Sequence, residues 1–173
     1  MTQLELPLPL VEYGLHLARR LGVPTILNPA PACDLPDSIL KLCDYLVPNE
    51  TEAAALTGMP VTSLEQAACA ADVLLARGVG NVVVTLGGRG ALVKTDKLAV
   101  HVEAFHAGKV AETTGAGDAL NGGFAVGLSE GMDLVNSVRL GCAAAGISVT
   151  RYGTAHSMPR RNEVNAILAK FQQ

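Results

Sequence analysis

The segment Glu112-Thr113-Thr114-Gly115-Ala116-Gly117-Asp118 has the composition of an anion-binding helix start. Glycines let a phosphate approach the backbone closely, and the first-turn N–H groups of a helix point outward at the positive end of its dipole. Asp118, at the start of the apolar, helix-like run Ala119 to Val126, is placed to take a proton from a hydroxyl attacking that phosphate. The chemistry this spacing suggests is phosphoryl transfer. The same residues also suit ordinary capping, in which an Asp in the first turn is favoured.

Three other stretches could contribute. In Pro48-Asn49-Glu50-Thr51-Glu52, Asn49 and Glu52 are three apart and share one side of a first helical turn, where an amide and a carboxylate could hold phosphate oxygens and a Mg²⁺-bound water. Capping is the alternative reading there too. Thr85-Leu86-Gly87-Gly88-Arg89-Gly90 is a glycine-rich turn after a strand, able to set backbone against a nucleotide with Thr85 as a hydroxyl donor. It lacks the Lys-Ser/Thr ending of a Walker loop and is not Gly-x-Gly-x-x-Gly. Asn28-Pro29-Ala30-Pro31-Ala32 is a proline-stiffened turn.

The elements that must position these segments alternate between strand and helix. A short strand ends near Glu5, and a helix covers about 10–21 with Leu10, Gly14, Leu17 and Leu21 on one face. Strands at 24–28 and 45–47 are stopped by prolines, with a short helix at 38–42 between them. A helix over 51–56 is capped by Thr51 or Asn49 and ended by Gly58. Ser63 and Gln66 make a capping-box pattern that opens a helix to Arg77. Asn81 to Leu86 is a continuous β-branched run, as expected of a central parallel strand, and a hairpin over 91–94 and 98–103 follows. Helices at about 117–129, 134–150 and 161–170 complete the chain. This is the pattern of an α/β, doubly wound sheet with helices on both faces, whose ligands sit beyond the C-terminal strand ends. With no linker or repeat, the 173 residues read as one domain.

Composition excludes several classes. Apolar residues are 49%, charged residues 17% and aromatics 3%, with 18 glycines, which suits close helix-on-sheet packing. A net charge of −3 and the absence of a basic stripe argue against nucleic-acid binding. Cysteines 33, 43, 69 and 142 have neither zinc nor disulfide-frame spacing and read as buried or partly buried free thiols of a reducing cytosol. No run is long enough for a membrane span and no secretory signal is seen, so a cytoplasmic location without membrane partners is expected.

Taken in order, Asn-Pro-Ala-Pro-Ala, Pro-Asn-Glu-Thr-Glu, Thr-Leu-Gly-x-x-Gly, Thr-Thr-Gly-Ala-Gly-Asp and the late Val-Thr-Arg-x-Gly-Thr-x-x-Ser-x-Pro resemble the sugar kinases of the ribokinase (PfkB) family. The resemblance covers essentially the whole chain and implies ATP-dependent phosphorylation of a sugar's primary hydroxyl, with ribose suggested by the Asn-Pro-Ala-Pro-Ala form. It implies that Asp118 is the general base and that Gly115, Ala116 and Gly117 stabilise the transferring γ-phosphoryl. Asn49 and Glu52 would order phosphate and Mg²⁺, Thr85, Gly87 and Gly90 would bind nucleotide, and Glu5 would contact the sugar. A K⁺ site would draw on Glu112, Thr114, Ser148, Arg151, Gly153 and Ser157, several through backbone oxygens.

Two residues depart from the family pattern: Glu112 replaces the usual Asp, and Cys142 stands where Asn or His often meets adenine. The resemblance also implies a fold truncated at its N-terminus. Family members begin with a portion that supplies further strands, most sugar contacts and a small β-lid, whereas this chain starts at the strand ending in Glu5. The expectation is an ATP-binding portion that is weak or inactive alone, with a sheet edge covered by self-association such as a homodimer. Alternatives are a kinase for fructose 6-phosphate, adenosine or a deoxyribose, a non-catalytic nucleotide-binding module, and an inert truncation product.

Overall fold

The structure is a computed structural model that describes residues 1–171. The chain forms two compact units, the first from Met1–Leu86 and Leu92–Val100, the second from Gly87–Ala91 and the chain from His101 onward. The element order is α1 (Leu8–Arg20), β1 (Ile26–Leu27), α2 (Asp37–Leu40), β2 (Tyr45–Leu46), α3 (Glu50–Thr57), α4 (Leu64–Ala76), β3 (Asn81–Thr85), β4 (Ala91–Lys94), β5 (Ala99–Val102), α5 (Ala116–Ser129), α6 (Leu134–Ser148) and α7 (Arg161–Lys170). The five strands follow the order β1-β2-β3-β4-β5. No described helix is long and apolar enough to cross a membrane.

In the first unit, β1, β2 and β3 run parallel, with Ile26 opposite Tyr45 and Leu46 opposite Val82. Val82, Val83 and Val84 are fully buried, as a β-branched central strand requires. The core gathers Leu27, Leu35, Leu40, Leu46, Ala71 and Leu74 with residues of α1 and α3. Arg77 ends α4 and ties this core's rim together, donating to the Leu35 and Leu56 carbonyls at 2.7 Å each and to Asp37 at 2.8 Å.

Two expectations for this unit are corrected. Cys33 and Cys69 are exposed rather than buried or partly buried. The strand near Glu5 reduces to one parallel bridge between Thr2 and Leu27, because Pro7 and Pro9 turn the chain into α1 rather than along the sheet. The stripe Leu10, Gly14, Leu17, Leu21 is not the buried one: Val11 and Leu15 are 2% and 4% exposed, whereas Leu10 and Leu21 are 53% and 68% exposed. Two apolar stripes lie side by side on this helix, and periodicity alone does not choose between them.

In the second unit, α5 and α6 pack with almost no side chain between them. A Cβ on Gly123 would stand 2.8 Å from the Gly141 Cα, one on Gly141 2.5 Å from the Leu120 carbonyl, and one on Gly127 2.7 Å from the Ser137 Cα. The descending register makes the pair antiparallel, and Phe124 fills the space beside it at 0% exposure. A Cβ on Gly146 would lie 2.0 Å from the Phe105 carbonyl, so α6 is small-faced on that side as well. The Phe105 ring meets Phe171 edge-on at 5.1 Å and the Arg139 guanidinium at 5.5 Å.

Candidate active site

In the second unit the Glu112–Asp118 segment does begin a helix. Gly115 is the N-cap of α5, with φ +81° and no side-chain cap, a left-handed conformation that costs other residues energy. An ideal Cβ there would touch Thr154 at 3.4 Å. Ala116 donates to the Thr113 carbonyl at 3.1 Å and Ala119 to the Gly115 carbonyl at 2.9 Å, fixing the turn. Gly117 and Asp118 follow in the first turn, both exposed. No heavy atom lies within 4 Å of a Cβ built on Gly117, so the fold itself does not require glycine there.

Asp118 borders a cavity of about 340 Å³ whose other walls include Ala119, Gly122, Val126, Ala144 and Met158, with Arg161 also on its lining. Such apolar walls do not match the hydroxyls of a sugar. Arg161 is paired with both Glu130 oxygens.

The expected cation ligands come from two segments that the fold brings together. Ala111 and Glu112 donate to the Val149 carbonyl at 2.8 and 3.2 Å. The Glu112 carboxylate then accepts the Gly153 N–H at 2.8 Å. That bond and the Thr114 hydroxyl hold its carboxyl below the usual glutamate range. Ser148 and Ser157 are buried, their hydroxyls donating to the Ala145 and Thr154 carbonyls. The Arg151 side chain is committed to Glu163, so only its backbone oxygen is suited to a cation. The longer side chain that replaces Asp thus reaches across to the 153 turn. In chemical type, a carboxylate, hydroxyls and carbonyls are the hard oxygen donors that suit K⁺.

The Gly87–Arg89 turn is also in the second unit. Gly87 and Gly90 have φ of +56° and +93°, and Gly90 closes the turn by donating to the Gly87 carbonyl. A Cβ on Gly90 would lie 2.0 Å from the Val102 carbonyl. His101 donates from Nε2 to the Arg89 carbonyl at 2.6 Å, which holds the turn from outside. Cys142 is buried in α6, and burial pushes its thiol up to about 12.

In the first unit the C-terminal ends of β1, β2 and β3 carry the other candidates. Asn49 bridges Thr85, and Thr85 donates to the Pro48 carbonyl at 2.8 Å. Asn49 Oδ1 accepts the Glu52 N–H, while Glu52 accepts the Asn49 backbone and side-chain N–H groups through its two oxygens, each at 2.8 Å. This is a closed capping box. Glu52 is 6% exposed, and burial raises its pKa although the Asn49 N–H opposes the rise. Each carboxylate oxygen keeps a second lone pair for a metal-bound water. Gln3 donates to Asn28 at 3.2 Å, Asn28 to the Val47 carbonyl, and Leu4 to the Ala30 carbonyl, which brings exposed Glu5 beside the Pro29–Pro31 turn.

Sequence reasoning missed His101 and Asn121. His101 gave no signal beyond its place on the exposed face of a strand. Asn121 did, as a polar residue inside an apolar helix, and the structure buries it at 3% exposure.

A family model, the pfkB family carbohydrate kinases, matches residues 1–161, and the chain belongs to that family. Its fold is the α/β ribokinase-like one. It superposes on Arabidopsis thaliana ribokinase complexed with ribose and ATP with a TM-score of 0.92 and 34% identity, over 96% of this chain and 54% of that one. Against Thermotoga maritima ribokinase the TM-score is 0.85 at 41% identity, over 96% and 55%. In sequence it is 42% identical to Haemophilus influenzae ribokinase over 94% of this chain and 53% of the relative. It is 39% identical to Salmonella typhi deoxyribokinase over 98% and 55%. The chain spans about half the length of the relatives it matches.

Proposed function

We propose that this chain carries the phosphate-handling and base-bearing part of a carbohydrate kinase that transfers the γ-phosphoryl of ATP to the primary hydroxyl of a pentose, ribose foremost. The observation that carries the reading is the start of α5, where a left-handed glycine replaces a side-chain cap and Asp118 stands in the first turn. Gly115, Ala116 and Gly117 set the positive end of the helix against the charge that develops on the phosphoryl group, the Ala116 N–H being shared with the Thr113 carbonyl. Asp118 accepts the hydroxyl proton as the sugar oxygen bonds to phosphorus, and the bond to the β-phosphate oxygen breaks to release ADP. Asn49 and Glu52 orient phosphate and a Mg²⁺-bound water, Thr85, Gly87 and Gly90 cradle the nucleotide with Cys142 near the base, and Glu5 contacts the sugar. Bound Mg²⁺ and K⁺ supply charge neutralisation, K⁺ being held by Glu112, Thr114, Ser148, Arg151, Gly153 and Ser157. Self-association accompanies this activity, which sedimentation checks.

The 39% identity to a deoxyribokinase makes 2-deoxyribose the second acceptor. ADP release is followed with ribose or 2-deoxyribose in Mg²⁺ and K⁺. Sugar-dependent release that vanishes in Asp118→Asn supports the kinase, and the faster sugar identifies the acceptor. ATP binding by calorimetry without turnover supports a nucleotide-binding module instead. Absence of binding overturns both.

A further inference from the structure

We infer that Asn121 is a positioning residue for the anion hole, its side-chain amide holding the Gly117–Asp118 peptide in the orientation that phosphate binding needs. The inference rests on the phosphate role proposed for the start of α5. Asn121 lies inside α5, between Leu120 and Phe124, and is among the few buried polar residues. Asparagine is a poor choice for a helix interior, because its side chain competes for backbone groups. Here that competition is directed. Nδ2 donates at 3.0 Å to the carbonyl of Gly117, four residues earlier, the acceptor that the helical ladder also offers to the Asn121 backbone N–H.

The other end of the amide shows that stability does not explain the residue. Oδ1 is buried without a hydrogen-bond partner among the described residues. Exchanging the two amide atoms would set oxygen against the Gly117 carbonyl, so the orientation is fixed by the bond that is made. A buried acceptor left unmet costs the fold, whereas an apolar side chain of the same shape would cost little there. What the amide gains is local. Gly117 has no Cβ, and one built there would meet no packed neighbour within 4 Å, so packing does not restrain a glycine whose backbone is intrinsically permissive. Two donors on its carbonyl fix the plane of the peptide that ends in the Asp118 N–H. A carbonyl that accepts twice also polarises that N–H into a stronger donor. The same plane sets the direction from which the Asp118 side chain leaves the backbone.

The test compares wild type with Asn121→Leu and Asn121→Ser, reading ¹⁵N order parameters of Gly117 and Asp118 without ligand, MgATP affinity by calorimetry, and the melting temperature. We expect Asn121→Leu to melt at or above wild type. Its Asp118 order parameter should fall from about 0.85 toward about 0.6, and MgATP binding should weaken about tenfold, the worth of one such hydrogen bond. Serine, whose hydroxyl can bond back to the same carbonyl, should restore most of both. Unchanged order and affinity in a folded Asn121→Leu protein overturn the inference, as does a loss of stability alone. If leucine prevents folding, Asn121→Ala takes its place with the same readouts. If wild type itself does not bind MgATP, the proposed function fails, and the order parameters still decide the role of Asn121.

Discussion

Helices α3 and α5 both begin with residues that suit phosphate, and they use their first turns in opposite ways. The start of α3 is self-sufficient: Asn49 and Glu52 exchange three hydrogen bonds at 2.8 Å, and Glu52 is buried. The start of α5 has a glycine N-cap and no side-chain cap; Gly117 and Asp118 are exposed, and the Ala116 N–H turns back to the Thr113 carbonyl. A helix end that satisfies itself stabilises the fold, whereas one that does not keeps its donors for a ligand. The contrast is between a carboxylate that closes its own helix start and a glycine that begins a helix without a side-chain cap.

The largest expected effect falls on α5. Asp118→Asn should lower turnover by about 10²–10⁴-fold, roughly 3–5 kcal/mol of barrier, with the melting temperature unchanged; a large loss of stability would make Asp118 a cap like Asn49. Next comes Asn49→Ala, expected to cost the fold about 1–2 kcal/mol in denaturant titration, because it opens the box; a neutral result would erase the distinction. Gly117→Ala should act in the reverse sense. A Cβ meets nothing there, so alanine should stabilise by up to about 1 kcal/mol while weakening MgATP binding about tenfold or more.

The smallest effect is a difference in titration, read by ¹³C shifts of the two carboxyls. Glu112 is held low by the Gly153 N–H and then by Thr114. Its contribution is therefore present above the ordinary glutamate range and is lost as pH falls through its own lower pKa. Glu52 is held high by burial, so its contribution favours the fold at low pH and is lost as pH rises through that raised value. Midpoints on the same side of the ordinary value would contradict the electrostatic difference between the two sites.

Much of this was legible in the sequence because it is local. The boundaries of α4 and α5, the Ser63 cap, the Gly58 stop and the valines of β3 follow from capping chemistry and period. The Asn49 box could be read as well, since its partners are three residues apart. The buried face of α1 could not, because two stripes compete and the choice depends on what packs above. Nor could the Glu112–Gly153 bond, between residues 41 apart in the chain.

The sequence by itself determined the family and the chemistry to propose: a glycine-flanked helix start with an aspartate, in order with the other family motifs, is written in neighbouring residues. The tertiary structure decided how each group is held. It brought Gly153 to Glu112, His101 to the Gly87–Arg89 turn, and left Gly117 open while closing Gly123 and Gly141 against each other. The physical reason is range. Caps and turns are set by the dihedral angles and hydrogen bonds of a few adjacent residues, but burial and long-range pairing exist only once distant segments share one packed interior.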